Sequence, residues 1–185
     1  MDTKIANPAP LGLMGFAMTT ILLNIHNMGF FPVSSVILAM GICYGGLAQI
    51  VAGIMCFKKG NAFAATAFTS YGFFWLSLVC VWLLPATGVK EAAATPPAFL
   101  GWYLALWGLF TGFMWVGTWG NSKVQQFVFL SLTILFFMLA VALWTGNTMI
   151  HHFAGVVGVI CGSSAFYLAM AELLEEAKGK RVLPY

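Results

Sequence analysis

The stretch Val124–Thr145, VQQFVFLSLTILFFMLAVALWT, runs 22 residues without one Asp, Glu, Lys or Arg. As a helix rising 1.5 Å per residue it would reach about 33 Å, enough to cross a hydrocarbon core about 30 Å thick. Lys123 stands at its near edge, and no further charge appears until Glu172. Toward the N-terminus the pattern repeats, with no charged residue between Lys4 and Lys58. Read outward in this way, the chain predicts six spans, at 11–31, 33–57, 62–84, 98–119, 124–145 and 149–173. The first is apolar only to Leu23 and reaches membrane length by including Asn24, His26 and Asn27.

Composition agrees with an all-α integral membrane protein built as one six-helix domain over 1–185. Of the 185 residues 61% are hydrophobic, against about 45–50% in soluble domains, and 7% are charged, against about 25%. Mean hydropathy is +0.93. These values exclude a soluble domain and a disordered chain. The net charge of +3 is not gathered into a basic face, which excludes nucleic-acid binding. Six crossings use roughly two-thirds of the chain and leave no room for a catalytic domain outside the membrane. Cys43, Cys56, Cys80 and Cys161 lie in or beside apolar runs without C-x-x-C spacing and read as small buried hydrophobes. No small-residue cleavage pattern follows the first apolar run, so no secretory signal is expected.

An even number of spans returns both ends to one side. The ends and the 2–3 and 4–5 loops carry Lys4, Lys58, Lys59, Lys123, Lys178, Lys180 and Arg181, whereas the other loops carry only Lys90. The positive-inside rule then places both termini in the cytoplasm. The even spans hold 11 of the 20 glycines, including Gly41/Gly45/Gly53, Gly101/Gly108/Gly112 and Gly155/Gly158/Gly162. Such stripes let helices approach closely in lipid; a glycine wall widening a pore is the second reading.

The odd spans share another regularity. Asn7, Asn61 and Asn121 each stand where an odd helix begins, and Asn is a favoured N-cap. Nine, ten and nine residues later come Phe16, Tyr71 and Leu130, about 13–15 Å deep and near the midplane. One bulky residue per hairpin would make a constriction, so the chain reads as three helical hairpins around a central pore.

The interior offers neutral polar groups only. Thr20, Asn24, Gln49, Thr69, Ser70, Gln126 and Ser163 could line a narrow, partly wettable path, although back-bonding to their own helices is the commoner role of Ser and Thr. Hydrolysis, phosphoryl transfer and redox chemistry lack residues to carry them, so neither a catalytic group nor a cofactor is expected. His151 and His152 are adjacent, point about 100° apart on a helix, and suit no shared metal. With His26 they fall at the external mouth, where they read as interfacial polar groups or as a pH sensor. Glu172, at the inner end of the sixth span, reads as an interfacial carboxylate or a proton relay. Helix starts at Asn7, Asn61 and Asn121 would aim partial positive charge at a cytoplasmic vestibule.

The run Asn7-Pro8-Ala9-Pro10-Leu11-Gly12-Leu13 resembles the signature of the acetate uptake transporters, the succinate–acetate permeases. Gly60-Asn61, Ala67-Phe68-Thr69-Ser70-Tyr71-Gly72, His152-Phe153-Ala154-Gly155 and Tyr167-Leu168-Ala169-Met170 extend the resemblance over the whole chain. It implies a homohexamer with one pore per subunit and a fold similar to proton-gated urea channels. It also implies uptake of acetate and, more weakly, succinate, with protons, across the cytoplasmic membrane. The family's Phe–Tyr–Leu constriction maps onto Phe16, Tyr71 and Leu130, and its path onto Thr20, Asn24, Gln49 and Ser163. A gated channel for small neutral solutes or carboxylate anions is the competing function.

Overall fold

The computed structural model describes residues 6–185, so Lys4 lies outside the described residues. Six helices are long and apolar enough to cross a membrane: α1 Ala9–Asn27, α2 Ser35–Lys58, α3 Ala62–Thr87, α4 Pro97–Gly117, α5 Lys123–Thr145 and α6 Thr148–Lys178. Four of these, α2 to α5, follow the predicted spans to within three residues at each end. The largest departures are at two ends: α6 runs on to Lys178 instead of 173, and α1 stops at Asn27 instead of 31. Gly29 there takes φ +88°, a left-handed conformation open mainly to glycine, and Pro32 cannot continue a helix.

The helix starts are only partly those expected. Asn61 caps α3, its Oδ1 accepting from the Ala64 N–H at 3.0 Å. Asn7 accepts from the Ala9 N–H at 3.1 Å, but Pro8 occupies the cap position of α1. Asn121 does not cap α5. Ser122 takes that role, accepting from the Gln125 N–H at 3.1 Å, because its hydroxyl reaches the third amide directly. Asn147 caps α6 through Met149 and Ile150, a signal the sequence reading had not used.

The helices follow one another around a ring. α1 packs along α6 and α2, α2 along α3, and α4 and α6 both along α5. α3 and α4 meet through rings instead of backbone, with Phe74 stacked on Tyr103 at 5.9 Å and edge-on to Trp107 at 5.2 Å. Over Gly41–Ala48 α2 winds as a π-helix. Such wide turns in helices recur near functional sites.

The glycine stripes serve packing within the protomer, the first of the two readings. A Cβ at Gly45 would meet Thr19 and Trp75 at 2.9 Å, and one at Gly53 would strike Thr69. Along α6, Gly155, Gly158 and Gly162 receive α1, and Gly158 leaves the space that the Asn24 side chain fills. Gly158→Ala should therefore lower the melting temperature in detergent by more than ordinary core overpacking of about 1–3 kcal/mol would. Gly112→Ala, whose Cβ would sit 3.7 Å from Thr133, is the matched control and should melt like the parent. Equal melting of the two variants would contradict this packing. Of the cysteines, Cys56 and Cys161 are buried as expected, whereas Cys43 and Cys80 are exposed on the outside of the ring.

Candidate functional site

Two cavities lie end to end inside the ring. The larger, about 960 Å³, takes residues from all six helices and opens where the described ends of the chain meet, between Asn7 and Tyr185. The smaller, about 170 Å³, opens at the opposite face beside His26 and His151. Among the described residues three line both: Phe16 of α1, Tyr71 of α3 and Leu132 of α5. They are 7%, 4% and 3% exposed, one from each odd helix, and they form the partition between the cavities.

Leu132 stands where the sequence reading had put Leu130. Two residues are about 200° around a helix, so both cannot face the axis. Leu130 is half-buried on another face and lines neither cavity. Tyr71 is held sideways: its hydroxyl donates to Thr111 Oγ1 of α4 at 3.0 Å, and Thr111 in turn donates to the Trp107 carbonyl at 2.7 Å. Its ring lies edge-on to Phe110 at 5.6 Å and 6.1 Å from the ring of Phe16. With its proton engaged, Tyr71 presents a ring to the axis and not a free donor.

Polar groups flank this apolar partition on both sides. Thr20 Oγ1, beside the smaller cavity, and Gln49 Oε1, beside the larger, are buried without any hydrogen-bond partner. An unmade hydrogen bond on a buried polar atom costs about 1–3 kcal/mol, which a polar solute passing through can recover. Asn24 Nδ2 donates to the Thr20 carbonyl at 2.8 Å, and Asn27 Nδ2 donates to Asn24 Oδ1 at 3.0 Å, forming a polar file toward the histidine mouth. There His151 Nδ1 meets the Asn27 carbonyl at 3.1 Å and His26 Nδ1 meets the Phe31 carbonyl at 2.6 Å. Among the described residues no Asp, Glu, Lys or Arg lines this smaller cavity.

At the other mouth Asn7, Asn61 and Asn121 gather as the sequence reading placed them, with Glu172 among them. The Asn7 side chain donates to Glu172 Oε2 and its backbone N–H to Glu176 Oε1, both at 3.3 Å. Glu172 thus fastens the start of α1 to the end of α6.

Four expected path residues point elsewhere. Ser163 is exposed on the outer face of α6, because the inner face of that helix is taken by Gly158, Gly162 and Ala165. Thr69 turns toward Gly53 of α2, where its buried Oγ1 has no partner, and Ser70 is half-buried away from both cavities. Gln126 folds back to donate to the Asn121 carbonyl at 2.9 Å, and Gln125 lines the cavity in its stead. His152 is exposed, with its ring against Gly29, outside the cavity that His26 and His151 line.

A ring of membrane-length helices around two cavities, divided by an apolar partition with hydrogen-bonding atoms on either side, defines a multi-pass membrane protein built to pass a small solute. Its sequence matches the model of the GPR1/FUN34/yaaH family over residues 1–184, and the chain belongs to that family. It is 60% identical over 183 residues to the succinate-acetate/proton symporter SatP of Escherichia coli K12, covering 99% of this chain and 96% of that one. Acetate permease A of Emericella nidulans is 30% identical over 98% of this chain and 66% of its own length. The solved structure of the bacterial acetate channel SatP superposes with a TM-score of 0.95 at 60% identity, over 98% of this chain and 99% of that one.

Proposed function

We propose that this protein takes up acetate and, more weakly, succinate across the cytoplasmic membrane together with protons, and that it has no catalytic activity of its own. The observation that carries the reading is the shared lining: Phe16, Tyr71 and Leu132 border both cavities, so one apolar ring stands between two chambers. The similarity to a succinate-acetate/proton symporter at 60% identity supports the substrate. Both ends of the chain would face the cytoplasm, and the larger cavity would be the inner vestibule. Assembly as a homohexamer in lipid, one path per subunit, follows the family resemblance. Phe99, Trp102, Leu106 and Phe113, exposed on α4, would then face lipid or a neighbouring protomer.

On this reading a carboxylic acid hydrogen-bonds to Thr20 and Gln49 on either side of the ring and crosses it neutral. An unpaired carboxylate is expensive in an apolar interior, and no cation stands there to balance it. Uptake of labelled acetate into proteoliposomes with an inward proton gradient, against protein-free vesicles, tests the proposal. Protein-dependent accumulation is expected, and none above the protein-free rate would contradict it. The second reading, a channel for small neutral solutes, draws on the same ring, since Thr20 and Gln49 would serve any small polar molecule. Urea flux through the same vesicles is its test.

The histidines give a separate outcome. His26 and His151 line the outer mouth. A protein combining His26→Gln, His151→Gln and His152→Gln should keep the rise in acetate uptake on acidification, because the proton rides on the substrate. A flattened pH profile in a well-folded triple variant would make these histidines the sensor.

A further inference from the structure

At the inner mouth the chain doubles back on itself. α6 ends at Lys178, and Gly179, at φ +64°, turns the backbone out of the helix. The residues that follow run back along α6 until the Pro184 carbonyl accepts from the Tyr167 hydroxyl at 2.6 Å, about three helical turns before the helix end. This return places Tyr185 among the residues lining the larger cavity. Tyr185 packs against the apolar cluster that includes Leu13, Phe68 and Leu168, as does Val124 at the start of α5.

Three further contacts hold the ring there. The Tyr185 hydroxyl donates to Glu175 Oε2 at 2.7 Å, and Arg181 Nη2 donates to the Tyr185 carbonyl at 2.6 Å. The Arg181 guanidinium lies 4.2 Å over the Tyr185 ring, with its Nε 4.0 Å from the same Glu175 oxygen. The bond to Glu175 holds the phenol above its ordinary pKa, so it stays a donor at every pH of interest. Glu175 and Arg181 remain 40% and 55% exposed, so water competes for each contact and the clamp is releasable.

We infer that residues 180–185 form a strap whose Tyr185 narrows the inner mouth of the solute path as a gate, held by the Glu175–Tyr185–Arg181 clamp and widened when the strap swings aside. The inference rests on the reading of the two cavities as that path. An aromatic ring seated on an apolar cluster narrows the vestibule, and two solvent-exposed tethers set how often it swings aside. Loss of the ring or of a tether should leave the central partition of Phe16, Tyr71 and Leu132 untouched and raise exchange at the inner mouth.

The test uses the full-length protein with its native cysteines replaced and Gln125→Cys placed in the larger cavity. Labelling by a membrane-impermeant maleimide from the side of the chain ends reads the gate; acetate efflux from loaded proteoliposomes reads the path. Tyr185→Ala should speed labelling about threefold to tenfold, the change that one lost hydrogen bond makes in a population. Tyr185→Phe, which keeps the ring without the Glu175 bond, should fall between, and Glu175→Gln and Arg181→Gln should reproduce it if Tyr185→Ala does not fold. Efflux should rise in the same order. Unchanged labelling in the folded variants, or faster labelling with abolished efflux, would overturn the gate. Wild-type protein that labels but carries no acetate would instead sink the functional reading and leave the strap standing.

Discussion

Lowering the external pH from about 7.5 to 5.5 at a fixed, subsaturating acetate concentration should raise the initial rate of protein-dependent uptake about 90-fold. The number is the change in neutral fraction of a carboxylic acid whose pKa is near 4.3, the reference value for a glutamate side chain. The sign follows from the partition. Phe16, Tyr71 and Leu132 offer rings and methyl groups, the Tyr71 proton is engaged by Thr111, and the smaller cavity carries no Lys or Arg. Nothing at that depth compensates a bare carboxylate, so the rate should track the acid and not the anion. Initial rates of labelled acetate uptake, corrected for protein-free vesicles at each pH, measure it. A rate independent of pH in this window would mean that the anion crosses.

The second large effect separates two leucines only two positions apart. Leu132→Ala removes the third side of the partition and should let propionate and lactate compete with acetate roughly tenfold better, the scale on which apolar pockets discriminate by one or two carbons. Leu130→Ala, on a face that borders neither cavity, should leave the size profile alone. Leu132 is 3% exposed, but part of its surface borders cavities and not packed neighbours. Its loss should therefore cost less stability than the about 2–5 kcal/mol of a fully packed leucine. Competition profiles of both variants, compared at equal protein in the vesicles, decide between them. A wider profile for Leu130→Ala would restore the residue first read from the sequence.

That misplacement shows how far the sequence carries. The six spans were legible because charge marks the 2–3, 3–4 and 4–5 loops, while Asn27, Gly29 and Pro32 mark the uncharged 1–2 loop and Gly146 and Asn147 the uncharged 5–6 loop. Phe16 and Tyr71 were legible because Asn7 and Asn61 hold the starts of their helices and fix the depth. Leu132 was missed because the depth was counted from Asn121, whereas the cap is Ser122. Ten residues beyond Ser122 lies Leu132, the same spacing that separates Asn61 from Tyr71. Ser163, Thr69 and Gln126 failed for another reason. Lipid-facing and axis-facing surfaces are both apolar here, so hydropathy leaves helix rotation unset, and one residue of error turns a side chain by about 100°. Rotation is fixed instead by close approaches such as Gly158 on Asn24 and Gly53 on Thr69, which single residues do not reveal. The Tyr185 strap joins residues by tertiary contacts that no motif foreshadows.

Neutral passage of a carboxylic acid across the Phe16–Tyr71–Leu132 ring, carrying its own proton, should move no net charge. Its most direct measurement is electrical: proteoliposomes held at set membrane potentials, with a fixed inward pH gradient, followed for labelled acetate and for current. Acetate accumulation should follow the pH gradient, be indifferent to voltage, and pass no acetate-dependent current above protein-free membranes. Acetate entry that changes with voltage and carries a matching current would contradict it, and would make this path a channel for the anion.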